Sequence, residues 1–226
     1  MELKSIIGNI IKDSEKFRQL NAAKLTKSVE IDYTAPTNGY VYQLKVSLKR
    51  AKPPIWRRIV VQDRITLHQL HRIIQTAMGW TDLSSYDFHL GNVIFEPELI
   101  EEEDFGLPNF REAHDSSKVL LGNVLQKEGQ KLNYTYDFRN NWEHHVELEK
   151  ILDEQVVSPR CLKGKRAAPP EGIRGIDHYL RMLERLKDSG PDDEEINFYR
   201  EILEGLDPEH FDLDETNHLL QEMVLE

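Results

Sequence analysis

The chain has 226 residues, 39% of them hydrophobic, with 29 Lys and Arg against 40 Asp and Glu, a formal net charge of −11 and a mean hydropathy of −0.58. No run of about 18 apolar residues occurs, which excludes a sequence-evident membrane span, and the single cysteine, Cys161, excludes an internal disulfide and a CxxC metal knuckle. The acidic balance argues against non-specific nucleic-acid binding by the chain as a whole. With an N-terminus that lacks a small-residue cleavage site, these features lead us to expect a cytoplasmic protein without a membrane partner.

Residues 2–20 carry Leu3, Ile6, Ile7, Ile10, Ile11, Phe17 and Leu20 at helical spacing, which predicts an amphipathic N-terminal helix within an arm over 1–36. A single α+β domain is expected over 37–226, with a sheet core at about 40–152 and a helical part at about 175–226. "YVYQLKVSLK" alternates apolar and polar positions and reads as a half-buried strand. "RAKPP" breaks it and "IWRRIVV" resumes as a second strand. Thr66 and Gln69 form a capping box for a helix whose stripe is Leu67, Leu70, His71, Ile74, Ala77 and Met78, with Gly79 as C-cap. His68 falls off that stripe and is expected to be exposed. "YDFHL" and "NVIFE" read as a hairpin, residues 101–118 as loop, and "VLLGNVL" as a short helix or turn. Three helices follow, at about 176–187, 193–205 and 214–224. Strand, strand and capped helix suggest a β-grasp-like α+β fold, with a mixed or antiparallel sheet and a packed helix.

The segment "YDFRNNWEHHVELEK", residues 136–150, holds the densest chemistry. A three-residue loop at 139–141 would pair Phe138 with Trp142, Tyr136 with His144, Tyr134 with Val146 and Leu132 with Leu148, all on one apolar face. His144 and His145 then point to opposite sides of the sheet and cannot share a metal without a bulge. His144 reads either as a neutral core histidine or as a pocket-lining group. The polar face would set Asp137 opposite Glu143 beside His145, a donor set fit for a metal, or simply a solvated outer face.

Charge is unevenly spread. From Tyr40 to Trp80 there are eight Lys and Arg against Asp63 alone, a balance of +7 that leaves −18 for the rest. A second basic run, "SPRCLKGKRAAPP", carries Arg160, Lys163, Lys165 and Arg166. Trp56 with Arg57 and Arg58 could stack on and grip a nucleic-acid strand, or lie as an ordinary strand with one buried face. Cys161 sits between cations that could lower a thiol pKa, yet no partner base is evident. Phosphate-loop, GxSxG, HExxH and GxGxxG patterns are all absent from the sequence.

Four blocks in order, residues 42–80, "YDFRNNWEHHVELEKIL", "PRCLKGKRAAPPEG" and "LDPEHFDLDETNHLL", resemble the plasmid pRiA4b ORF-3-like family over roughly 40–220. The resemblance implies an α+β fold and an association with plasmids and insertion sequences, with no defining activity. Tyr136, Asp137, Phe138, Trp142 and His144 match the family's hairpin motif, whereas Arg139 and Asn140 replace its Gly-Asp. Pro169, Pro170 and Glu171 match its Pro-Pro-Glu, but the following acid is replaced by Gly172 and the second cysteine is lost. A His shortly after the Gly-Trp pair is replaced by Ser84 and Ser85. These departures favour a non-catalytic binding module without a cofactor, for an anion, a peptide or nucleic acid. Its expected cleft sets Arg160, Lys163, Lys165, Arg166 and Glu171 near Trp142 and His144. A protein or nucleic-acid partner would use the basic segments 45–72 and 160–166. The rival reading is a metal-dependent hydrolase or nuclease using Asp137, Glu143 and His145.

Overall fold

The computed structural model describes residues 31, 39–97, 112–154, 158–188 and 194–223. The helix expected over 2–20 lies outside these residues. β1 (Val41–Leu48) alternates buried and half-exposed residues along its length, as its sequence does, and pairs antiparallel with β2 (Trp56–Gln62). Leu44, Val46 and Leu48 face a core shared with Ile59 and Val61 of β2. The helix α1 (Leu67–Met78) then packs Leu67, Leu70, Ile73, Ile74 and Ala77 into the same core. Burying each of the four Leu and Ile side chains fully is worth about 1.5–3 kcal/mol. Both halves of the capping box form: the Gln69 amide donates to Thr66 Oγ1 at 3.1 Å and the Thr66 amide to Gln69 Oε1 at 3.0 Å. Gly79 ends the helix at φ 76°, a left-handed conformation that costs glycine little.

β3 (Tyr86–Leu90) and β4 (Val93–Glu96) form the expected hairpin around Gly91. The stretch read as loop over 101–118 contains a strand, β5 (Glu112–Asp115), which pairs with β4 in parallel. A single turn, α2 (Leu121–Val124), leads to β6 (Lys131–Tyr136) and β7 (Trp142–Leu152), and β8 (Arg160–Lys165) closes the sheet. The order is β5-β4-β3-β6-β7-β1-β2-β8, antiparallel except for β4–β5. The fold is therefore α+β, with the strand–strand–helix opening built into an eight-stranded sheet.

The hairpin register differs from the sequence expectation by two residues. Tyr136 lies opposite Trp142, Tyr134 opposite His144 and Leu132 opposite Val146, so the connection spans five residues, Asp137 to Asn141. Two of them, Asp137 and Asn141, have φ of 54° and 53°, a conformation that Asp and Asn tolerate best among residues with a Cβ. A two-residue slip keeps the strand residues on their expected faces, because the strand period is two, but Phe138, expected opposite Trp142 on the apolar face, lies in the turn and is exposed. His144 and His145 do point to opposite sides: His144 is fully buried and His145 is exposed.

Three C-terminal helices complete the described chain: α3 (Gly175–Asp188), α4 (Glu194–Ile202) and α5 (Leu213–Glu222). α5 shields the outer edge of β8. Asn217 accepts from the Cys161 amide at 2.7 Å and donates to its carbonyl at 2.9 Å, taking the place of a neighbouring strand. Arg57 fixes the junction of β2, α1 and β8. Its buried guanidinium donates to the carbonyls of Ala77, Trp56 and Lys165 and stacks 3.9 Å from the centre of the Phe211 ring. It thus places positive charge at the carbonyl end of α1, where the helix dipole favours it.

Candidate cleft between the α1–β3 loop and the β6–β7 turn

The apolar face of the sheet is not uniformly apolar under α1. His71 and Gln75, one helical turn apart, both meet Tyr134 of β6. Gln75 Nε2 can only donate, so the Tyr134 hydroxyl accepts from it at 2.8 Å and gives its own proton to His71 Nδ1 at 2.8 Å. His71 therefore carries its proton on Nε2, which donates to Asp82 Oδ1 at 2.5 Å. The three hydrogen bonds run in one consistent direction around a neutral imidazole. Burial holds the His71 pKa below its ordinary value despite the pull of Asp82, and burial pushes the Tyr134 hydroxyl well above its own. His71 also stacks on Tyr86, ring centres 3.5 Å apart and planes 7° apart. Tyr86 bonds His68 Nδ1 at 2.8 Å, so His68 is half-buried and partnered rather than free in solvent.

This network pins the loop after α1. Asp82, at φ 59°, also donates its amide to Gln75 Oε1 at 3.3 Å. Next to it, Glu171 acts as a strap. Its carboxylate accepts from the Thr81 amide at 2.9 Å, the Thr81 hydroxyl at 2.6 Å and the Tyr136 hydroxyl at 2.7 Å. Trp80 donates its indole N–H to the Pro169 carbonyl at 2.8 Å, fastening the same segment. Burial, and then Glu171, raise the Tyr136 pKa to about 12. Tyr136 therefore remains a neutral donor at any physiological pH.

Above this floor lies a cleft of about 600 Å³. Thr81, Leu83, Ser84 and Ser85 form one wall, Asp137 to Asn140 of the hairpin turn form the other, and Glu171 and Gly172 close the end. The turn is rigid in its own right. Asp137 accepts from the amides of Arg139 and Asn140 at 3.1 and 3.2 Å and from Asn140 Nδ2 at 2.6 Å, while its amide donates to Ser85 O at 2.8 Å. Gly175 supports the turn from behind: a Cβ there would meet the Asn140 carbonyl oxygen at 2.5 Å, so the close approach requires glycine. Leu83 is 84% exposed and Phe138 53% exposed, so two apolar side chains from different loops border one cleft. Arg139 is exposed at the same rim with no acidic partner among the described residues. The carboxylates of Asp137 and Glu171 are already engaged.

The residues expected to form a site are dispersed over the molecule. Glu171 lies in the cleft. Trp142 and His144 sit beneath it, both fully buried, so they support the floor and wall nothing. The His144 ring, packed against Trp80 and Tyr134, has no hydrogen-bond partner among the described residues. Burial drives its pKa down to about 3. Arg160, Lys163 and Lys165 lie on β8 at the far edge of the sheet, away from the hairpin turn. Arg166 is buried and committed to Glu209 at 2.6 Å and to the carbonyls of Pro53 and Pro208. Trp56 and Arg58 lie on the outer face, whereas Arg57 points into the core. Cys161 is buried, and burial raises its thiol pKa, so the neighbouring cations do not activate it.

The metal trio is not assembled. The register places Glu143 opposite Thr135, and Asp137 has left the strand to cap the turn. Glu143 lies 3.6 Å from Lys49, and His145 stands between Ser47 and Asn133. Among the described residues no group of three or more His, Cys, Asp or Glu side chains is placed to hold a metal ion. The Asp82–His71–Tyr134–Gln75 chain was not anticipated. Its sequence signal is His71 and Gln75, two polar residues four apart on the otherwise apolar, core-facing stripe of α1.

Comparisons with known proteins agree with this fold. The family described as plasmid pRiA4b ORF-3-like protein matches residues 40–215. The uncharacterized protein y4hQ of Sinorhizobium fredii (strain NBRC 101917 / NGR234) is 33% identical over 150 residues, 66% of this chain and 74% of its own length. The crystal structure of the protein of unknown function MM3350 from Methanosarcina mazei Go1 superposes with a TM-score of 0.66 at 37% identity, covering 77% of this chain and 96% of that one. From the four ordered blocks, the matched span and the shared fold, the chain belongs to the plasmid pRiA4b ORF-3-like family.

Proposed function

We propose that this protein is a non-catalytic binding module whose cleft between residues 81–85 and 137–140 takes a short peptide-like ligand with an anionic group beside apolar ones. The observation that carries this reading is the pairing of exposed Leu83 and Phe138 around a cleft whose one unengaged charge among the described residues is Arg139. Apolar side chains of the ligand would cover Leu83 and Phe138, and its carboxylate would meet Arg139, with the exposed Ser85 hydroxyl as a further donor. The floor is already organised by the Glu171 strap and the Asp82 network, so little ordering cost falls on the protein when the ligand binds.

Two further facts support binding over catalysis. His71 and Tyr134, the groups with the look of acid–base machinery, are buried and fully employed with each other. Of the departures that the family resemblance implies, Ser84, Ser85, Arg139, Asn140 and Gly172 border this cleft. The test is an array of random octapeptides probed with the full chain and with R139E and F138D. Enrichment of acidic–apolar peptides that both substitutions abolish is the expected result. Peptides that bind all three proteins equally would overturn the assignment.

A further inference from the structure

The outer face of the sheet carries a second, unrelated feature. Cross-strand pairing places Lys163, Arg58 and Lys45 side by side on β8, β2 and β1, and in the adjacent row Lys165, Trp56 and Ser47. Directly opposed residues share a face, so these six form one patch two rows deep. Lys45 Nζ lies 5.5 Å and the Arg58 guanidinium 5.3 Å from the centre of the Trp56 ring. The acids nearby are engaged: Glu149 accepts both Arg58 N–H groups at 2.5 and 2.8 Å, and Glu147 lies 3.3 Å from Lys131. Lys163 and Lys165 are exposed and have no carboxylate partner among the described residues, whereas Lys45 lies opposite Glu147 on β7 and adds to the field that lowers the Glu149 pKa. An acidic chain thus concentrates unbalanced positive charge around a half-exposed indole.

We infer that this face binds a single-stranded nucleic acid, with a base stacked on Trp56 and the phosphates meeting Lys163, Lys165 and Lys45. Alternate residues on a strand lie about 6.6 Å apart, so Lys163 and Lys165 can meet successive phosphates of an extended strand. An acidic peptide would satisfy the lysines but would gain nothing from an indole flanked by cations. A base gains stacking on the indole, and open sheet faces bearing aromatics suit single strands. Duplex recognition fits less well, because among the described residues the helices pack into the core on the opposite face of the sheet.

The other two tryptophans, Trp80 and Trp142, are buried, so quenching of tryptophan fluorescence reports on Trp56. The experiment titrates the full chain with fluorescein-labelled dT20, reading anisotropy, and with unlabelled dT20, reading tryptophan emission, at 20–200 mM NaCl. Binding with quenching is expected, with a log–log salt slope of roughly −2, since each phosphate neutralised on a single strand contributes about −0.7. K163E/K165E should lower the affinity at least tenfold, and W56F, which keeps a ring, should retain binding while the quench disappears. R139E and F138D should leave it unchanged, which separates this site from the cleft. No anisotropy change at 20 mM NaCl, binding without quenching, or full affinity in K163E/K165E would overturn the inference. Equal competition by polyglutamate of the same length would do so too, assigning the patch to acidic peptides.

Discussion

His144 offers a direct test of how the core was built. Its imidazole is fully buried between Trp80 and Tyr134, and its pKa is pushed from 6.5 to about 3, chiefly by loss of solvation. The unfolded chain takes up a proton on this residue below about pH 6.5, and the folded chain does not until near pH 3. A lowered histidine pKa therefore costs nothing above pH 6.5 and draws stability away as the pH falls through that window. At pH 4.5 the gap spans two pH units, at about 1.4 kcal/mol each, so His144 alone removes roughly 3 kcal/mol relative to pH 7.5. Replacing it with leucine should abolish that part of the acid sensitivity, while at pH 7.5 the variant should lie within about 1.5 kcal/mol of the parent. Urea unfolding of both proteins at pH 7.5, 6.0 and 4.5, followed by tryptophan emission, reads the difference. Carboxylates such as Glu149 titrate alike in both proteins and cancel. If the two proteins lose stability in parallel between pH 6.5 and 4.5, the neutral, desolvated histidine is wrong.

Three other outcomes follow from the geometry. Tyr134→Phe leaves His71 Nδ1 and Gln75 Nε2 buried without their shared partner and should cost on the order of 2–4 kcal/mol in urea unfolding. Gly175→Ala forces a Cβ onto the Asn140 carbonyl at a φ of 75° and should cost roughly 1–3 kcal/mol, with proton–proton distances in the hairpin turn shifting by NMR. Asp137→Asn keeps the turn acceptor and the tolerated left-handed conformation, so its melting temperature should stay close to the parent's. Asp137→Ala, which loses three hydrogen bonds, should cost about 1–2 kcal/mol in the same melts.

Local signals made much of the fold legible. Alternation marked β1 and β7, the Thr66–Gln69 box and Gly79 marked both ends of α1, and hydrophobic spacing marked the three C-terminal helices. Face assignment in the hairpin survived an error of two in register because parity is unchanged. The register itself was misjudged because Asp137 takes a left-handed conformation and spends its carboxylate on the turn, which pattern alone does not reveal. β5 escaped notice because four residues, "EAHD", carry no alternation and gain their strand state from parallel pairing with β4. Arg160, Lys163 and Lys165, expected beside Trp142 and His144, lie instead on β8. It is an edge strand, because β2 beside it offers a free ladder. The cleft draws on 81–85, 137–140 and 171–172, segments whose meeting is set by the strand order and by the Glu171 strap. No periodicity encodes such a meeting.

Amide chemical shifts decide whether the 81–85/137–140 cleft is a ligand site. Titrating the isotope-labelled chain with the best octapeptide from the array should move the amides of Thr81 to Ser85, Phe138 to Asn140 and Gly172, and leave those of β8 in place. Shifts confined to β8 and the outer sheet face, or scattered over the surface without saturation, would contradict it.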